Sequence, residues 1–235
     1  LGDEIMYSSC IPDLTASEAV VECDERLEGL FRRSFPTRHV YGTRKQTDLD
    51  WLSKHTITAR CPMGGVPRYV RNKDSDFPRK PFLVADPDRR LQWKALFDSW
   101  GKKPKIGLAW SGGRPHTGAK KREVGIDAFR PLIESINADF ISLQYRSDSQ
   151  KEIEESGLPV HHFKRACQTN DYDDLAGMVA ELDMVIGIHT AALHLSGGLG
   201  VKTIALVPSK PAWAYNPPEM LWYPESYSFH RQKDG

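Results

Sequence analysis

The segment VIGIHTAALHLSGGLG, residues 185–200, carries two histidines, a threonine and no large side chain at the turn from an apolar strand-like run into a helix. Thr190 stands where a helix N-cap would, and Gly200 lies just past the helix end expected at Gly198. Ala191 and Ala192 are too small to cover the first-turn N–H groups. That end is therefore open to an anion, which the helix dipole favours. His194 follows Thr190 by one helical turn and shares its face, and His189 ends the strand. An interior histidine with ordinary partners and an alanine kept small for packing account for the same residues.

Two further loops have the same kind of chemistry. In AWSGGRPHTGAKKR (109–122), Ser111, Gly112 and Gly113 directly follow an apolar strand, where bare backbone N–H groups can approach a phosphate. Lys120, Lys121 and Arg122 can add positive charge, although a charged surface loop reads the same way. In DFISLQY (139–145), a buried strand ends in Gln144, whose amide can meet a base or ribose edge. Other patterns carry less. DLD (48–50) matches the D-x-D of one class of metal-dependent sugar transferases but lacks a strand before it. DYDD (171–174) reads as a helix cap, and His161 and His162 point to opposite faces of a strand.

These loops need a parallel sheet to hold them, and the hydrophobic pattern supplies one. Strands are expected at 105–110, 139–144, 160–163, 184–188 and 203–208, with helices near 126–136, 148–156, 172–182 and 190–198. Short apolar strands alternating with helices mean βαβ units, and ligands of such sheets bind beyond the strand carboxyl ends. Upstream, EAVVEC (18–23) and HVYG (39–42) read as strands. The segments 24–35, capped by Asp24, and 88–100 read as helices, and 43–88 is irregular. GKKPK (101–105) reads as a linker. Two Rossmann-like domains follow, residues 1–100 and 101–235, the first short and less regular.

A net charge of +1 on 235 residues gives no electrostatic reason to expect nucleic acid or an anionic membrane as partner. The basic runs 102–105 and 119–122 read as solvated surface. Four scattered cysteines without a C-x-x-C pair argue against zinc and against a disulfide scaffold, and fit a reducing, cytoplasmic setting. No apolar run approaches the ~20 residues of a membrane span. The opening LGDEIM, with no Met first, suggests a fragment of a longer protein.

Taken together, the helix beginning DDLAGMV, the segment TAALHLSGGLG, the strand ending in VP, and the later WAY, WYP and RQ resemble the C-terminal domain of bacterial glycosyltransferases often fused to tetratricopeptide repeats. These are similar to family 9 glycosyltransferases, the ADP-heptosyltransferases of lipopolysaccharide synthesis. IGLAWSGG, FISLQY and LGDEIM match in the same order. The resemblance implies a GT-B fold, with two Rossmann-like domains whose parallel sheets face a cleft. It also implies a nucleotide-diphosphate-sugar donor on the second domain and transfer without metal or other cofactor. It carries a catalytic base onto Asp3, phosphate contacts onto Ser111 and Gly112 with a cation nearest Arg122, and donor contacts onto Thr190 and His194. The chain departs from the heptosyltransferases at His189, where they have Asp, so ADP-heptose itself is not implied.

The expected function is therefore sugar transfer to a hydroxyl of a glycan, lipid or protein acceptor. The expected donor site comprises Ser111, Gly112, Gly113, Arg122, Gln144, His189, Thr190, Ala191 and His194. A GT-B sugar-nucleotide epimerase or a non-catalytic sugar-nucleotide-binding module would share it. Asp3 also reads as a plain N-cap for EIMYSSC.

Overall fold

The structure is a computed structural model that describes residues 1–113, 123–209 and 219–230. Its main body is a six-stranded, all-parallel sheet. The strands are β3 (Lys105–Ala109), β4 (Asp139–Ser142), β5 (Val160–His162), β6 (Met184–Ile188), β7 (Lys202–Val207) and β8 (Ser226–His230). Every residue of β3 is buried, as a central strand covered on both faces requires. The chain builds outward from β3 to β5, then returns to β6 on the other side of β3 and builds outward again. The topological switch point thus lies between β3 and β6, paired from Ile106↔Met184 to Ala109↔Gly187. The edge strand β8 was not anticipated from the sequence, because SYSFH carries three polar residues and places Tyr227 and Phe229 outward.

The first half holds a separate sheet of only two parallel strands, β1 (Val20–Glu22) and β2 (His39–Tyr41). Val21 and Val40 face the core while Glu22, His39 and Tyr41 face outward. The helix expected over 24–35 begins as a tight 3-10 turn, Glu25–Leu27, and continues as Glu28–Ser34. The Asp24 carboxylate caps it, accepting from the Arg26 N–H at 3.2 Å. The irregular stretch after β2 contains only short turns until the helix Pro87–Ser99.

That helix is the bridge between the halves. Asp86 caps it through the N–H groups of Asp88 and Arg89 (3.1 and 3.0 Å), and it lies against the helix Tyr172–Val179. The Trp93 indole N–H donates to the buried Asp174 carboxylate at 2.9 Å, with Arg89 and Arg165 near it at 3.7 and 3.8 Å. A buried charge is tolerable only when so surrounded. One apolar cluster accordingly runs across the junction, joining Leu27, Phe31, Trp93 and Phe97 to Ile141, Leu175, Met178 and Val185.

One reading of the sequence is adjusted and one is borne out. Lys105, the last of the basic run 102–105, is buried, with its ammonium 2.9 Å from Asp139 and donating to the carbonyls of Gly101 and Lys103. Asp171 does cap its helix, accepting from the Asp174 N–H at 3.1 Å. No helix among the described residues is long and apolar enough to cross a membrane.

Candidate functional site

The carboxyl ends of β3 and β6 are drawn together by a close backbone approach. A Cβ on Gly187 would stand 2.5 Å from the Ala109 carbonyl oxygen, so only glycine allows the two strands to meet there. The loop after β3, Ser111–Gly113, therefore lies beside the turn after β6, His189–Thr190. Gly112 has φ +149°, a conformation that side chains disfavour, and a Cβ there would lie 3.0 Å from Thr190 Cγ2 and 3.3 Å from Tyr145 Cε1. Gly112, Thr190 and Tyr145 thus converge at the switch point.

The loop is held from beneath by Gln144, which is 1% exposed. With its carboxamide oriented so that every donor meets an acceptor, the oxygen accepts from the N–H groups of Trp110 (2.5 Å) and Ser111 (2.9 Å). The amide NH2 then donates to the Ser111 carbonyl (2.9 Å) and hydroxyl (3.0 Å). This corrects the expectation that Gln144 offers its amide to a base or ribose edge: the amide is spent on the loop. Tyr145, half-exposed and absent from the expected site, stands over the crevice with its phenol oxygen accepting from the Gly113 N–H at 3.0 Å. Its place after Gln144 at a strand end was the available signal. Of the three loop amides, Ser111 and Gly113 are engaged, and the Gly112 N–H has no protein partner among the described residues.

Thr190 is the N-cap residue of the helix Ala191–Leu199, but its side chain makes no capping hydrogen bond. The capping role read for its hydroxyl is thus not the one it takes: Oγ1 is buried and has no partner among the described residues. The helix is held instead by the Thr190 carbonyl, which accepts from Leu193 and His194 (3.2 and 3.3 Å). The N–H groups of Ala191 and Ala192, at the positive end of the dipole, have no partner among the described residues. Gly200, in the left-handed conformation at φ +83°, closes the other end, with the Val201 N–H returning to the Ser196 carbonyl at 2.9 Å.

His194 is 4% exposed, and its Nδ1 pairs with the Tyr223 hydroxyl at 2.7 Å. It serves as an interior latch between its helix, Tyr223 and the N-terminal helix Gly2–Ser8, where a Cβ on Gly2 would come within 2.9 Å of its ring. Tyr223 in turn lies against Gly197, while Gly198 is crowded by Leu83 and Phe82, so the two glycines of the pair make room for different neighbours. His189 is buried at the end of β6.

The same Gly2 contact brings Asp3 close to the start of the helix Ala191–Leu199. A Gly2 Cβ would lie 3.6 Å from Ala191 Cα, and Asp3, the next residue, is exposed in the first turn of its helix. Leu1, not Asp3, is the N-cap, so the plain capping role read for Asp3 does not apply. Burial, followed by the Asp3 carboxylate, pushes the Tyr7 phenol pKa up from 10.0. Arg146, beside Tyr145, is committed to Asp148 and Glu123. Arg122 lies outside the described residues.

No family model matches the chain. It is 27% identical over 254 aligned positions to "Protein FlbA" of Caulobacter vibrioides; the alignment takes in all of this chain and 42% of FlbA, so the chain spans less than half of that relative. In structure it is similar to a glycosyl transferase family 9 protein from Veillonella parvula DSM 2008, with a TM-score of 0.64 at 10% identity over 99% of this chain and 85% of that one. The E. coli ADP-heptose lps heptosyltransferase II gives a TM-score of 0.55 at 11% identity, over 99% and 87%. The fold is the α/β GT-B arrangement of those glycosyltransferases.

Proposed function

We propose that the chain is a glycosyltransferase that moves a sugar from a nucleotide-diphosphate donor to an acceptor hydroxyl, without metal. The observation that carries this reading is the meeting of Gly112 with Thr190 across the switch point, beside a helix N-terminus that its own threonine leaves uncapped. In this reading the diphosphate is held by the N–H groups of Gly112, Ala191 and Ala192 and by the Thr190 hydroxyl; the resemblance adds Arg122 as its cation, a residue outside the described ones. Preorganised donors of this kind stabilise the charge of a departing diphosphate. Ser111, Gly113, Gln144 and Tyr145 keep the loop in shape, and His189 and His194 fix the strand end and the helix.

Asp3 takes the proton from the acceptor hydroxyl. The acceptor oxygen then bonds to the anomeric carbon while the bond from that carbon to the donor phosphate oxygen breaks, and the nucleoside diphosphate leaves. The acceptor is a glycan, lipid or protein. A cytoplasmic setting belongs to the same proposal and agrees with four cysteines that are all free thiols. Membership in a longer, repeat-containing chain is part of the same proposal.

The test is a transfer assay over UDP-, GDP- and ADP-sugars with wild type and Asp3→Asn. Loss of a general base costs about 10²–10⁴-fold in rate while donor affinity is retained. An Asp3→Asn protein that turns over at the wild-type rate removes Asp3 from the mechanism. Donor conversion without any acceptor would make the protein an epimerase, and donor binding without turnover would make it a binding module.

A further inference from the structure

We propose that Glu18, His39 and His55 form a binding site for one divalent transition metal, Zn²⁺ by preference, on the outer face of the two-stranded sheet. The ligand atoms of these residues all lie within 4.8 Å of one another, the one such group among the described residues. The Glu18 Oε1 is 2.5 Å from His55 Nδ1 and 3.6 Å from His39 Nε2.

Three separate segments bring them together. Val20 of β1 pairs with His39 of β2, and Val21 and Val40 point inward, so His39 and Tyr41 share the outer face. Glu18 precedes β1 by two residues, and His55 comes back over this face from the stretch that follows β2. A proton shared between Glu18 and His55 accounts for two of the three groups. The turn of His39 Nε2 toward the same carboxylate oxygen is accounted for by a metal, which takes a lone pair from each.

The surroundings support ligation through His55 Nδ1. Its Nε2 lies 2.9 Å from the Tyr41 hydroxyl, the outer partner that fixes the ring and leaves the Nδ1 lone pair for a metal. Tyr41 is itself held, stacked on Trp51 with ring centroids 5.1 Å apart. The Trp51 indole donates to Thr43 Oγ1, which donates to Glu22 (2.9 and 3.1 Å).

Two imidazoles and one carboxylate suit zinc and its neighbours, and do not suit calcium or magnesium, which take oxygen ligands. In a tetrahedral site with bonds of about 2.0–2.1 Å, ligand atoms stand about 3.3 Å apart. The His39–Glu18 separation of 3.6 Å is within about 0.3 Å of that spacing. The Glu18 oxygen must draw back from His55 by roughly 0.8 Å to reach that spacing, and its half-exposed side chain has the room.

The site lies at the amino ends of the strands, whereas ligands of parallel sheets bind at their carboxyl ends. Its role is therefore to clip. It ties residues 37 apart in sequence and fastens an irregular stretch to a small sheet, where closing a loop stabilises the folded state. The proposal is independent of the transfer reaction.

The experiment titrates chelator-treated protein with Zn²⁺ by calorimetry and with Co²⁺ by visible absorption. Wild type binds one saturable equivalent of Zn²⁺, melts higher with it, and gives the intense bands of tetrahedral Co²⁺. The half-exposed His39→Ala weakens binding at least tenfold with the metal-free melting temperature unchanged. Tyr41→Phe, which keeps the ring stack, weakens it about 10–100-fold. No saturable Zn²⁺ binding in wild type, or the same affinity and stoichiometry in His39→Ala, overturns the site.

Discussion

Replacing Gln144 with Ala separates a residue that holds the loop from one that touches the nucleotide. The carboxamide is 1% exposed and serves the Trp110 N–H, the Ser111 N–H and the Ser111 carbonyl. Each buried polar group left without a partner costs about 1–3 kcal/mol. Three such groups, taken at the low end because water can enter the space vacated, cost about 3 kcal/mol. For a chain of this size each kcal/mol lowers the melting temperature by about 2–4 °C, so Gln144→Ala should melt about 6–12 °C lower. Gln144→Met keeps the volume and removes the polar partners, and should lose most of the same stability. Urea denaturation and calorimetry of the protein without donor measure both. A Gln144→Ala protein of wild-type stability that has lost only donor affinity would refute the reasoning, because the carboxamide would then face the ligand.

Two other expectations concern single side chains. Thr190→Val removes a buried hydroxyl that caps nothing, so unfolding stability in urea should hold or rise, by at most about 1–3 kcal/mol, while donor affinity, read by calorimetry, falls; a marked loss of stability would mean that the hydroxyl has a structural partner. Asp24, whose carboxylate faces Arg26, Arg44 and Lys45, has its pKa pushed down from 3.8, with the Arg26 hydrogen bond as the largest cause. A depressed folded-state pKa gives stability that is present above 3.8 and lost as pH falls below it. Denaturation between pH 2 and 7 should therefore find Asp24→Asn less stable at neutral pH, with a shallower loss in acid; parallel curves for the two proteins would show that the charge contributes nothing.

What the sequence made legible was the part governed by local pattern. The strands of the large sheet and the helices between them follow from apolar runs and caps, and Asp24, Asp171 and Gly200 act where their chemistry suggested. What it hid was the partner of each polar group. Gln144 and His194 each look like a ligand contact at a strand end or helix face, and each is engaged with groups far away in sequence, the Ser111 loop and Tyr223. The unused Thr190 hydroxyl was equally invisible, since a threonine before a helix reads as a cap whether or not it bonds. Strand β8 escaped because an edge strand needs no continuous apolar run. The cluster of Glu18, His39 and His55 assembles from three segments with no spacing motif to reveal it.

The central claim is that a donor diphosphate binds between the Gly112 loop and the Thr190 helix. A thermal-shift titration of wild type and Gly112→Ala with UDP-, GDP- and ADP-sugars tests it most directly. The added methyl would enter the crevice within 3.0 Å of Thr190. At 100 times its dissociation constant a true donor stabilises wild type by about 2.7 kcal/mol. The account predicts such a shift for at least one nucleotide-diphosphate sugar in wild type and its loss in Gly112→Ala. An equal shift in both proteins, or none in wild type with any donor, would contradict it.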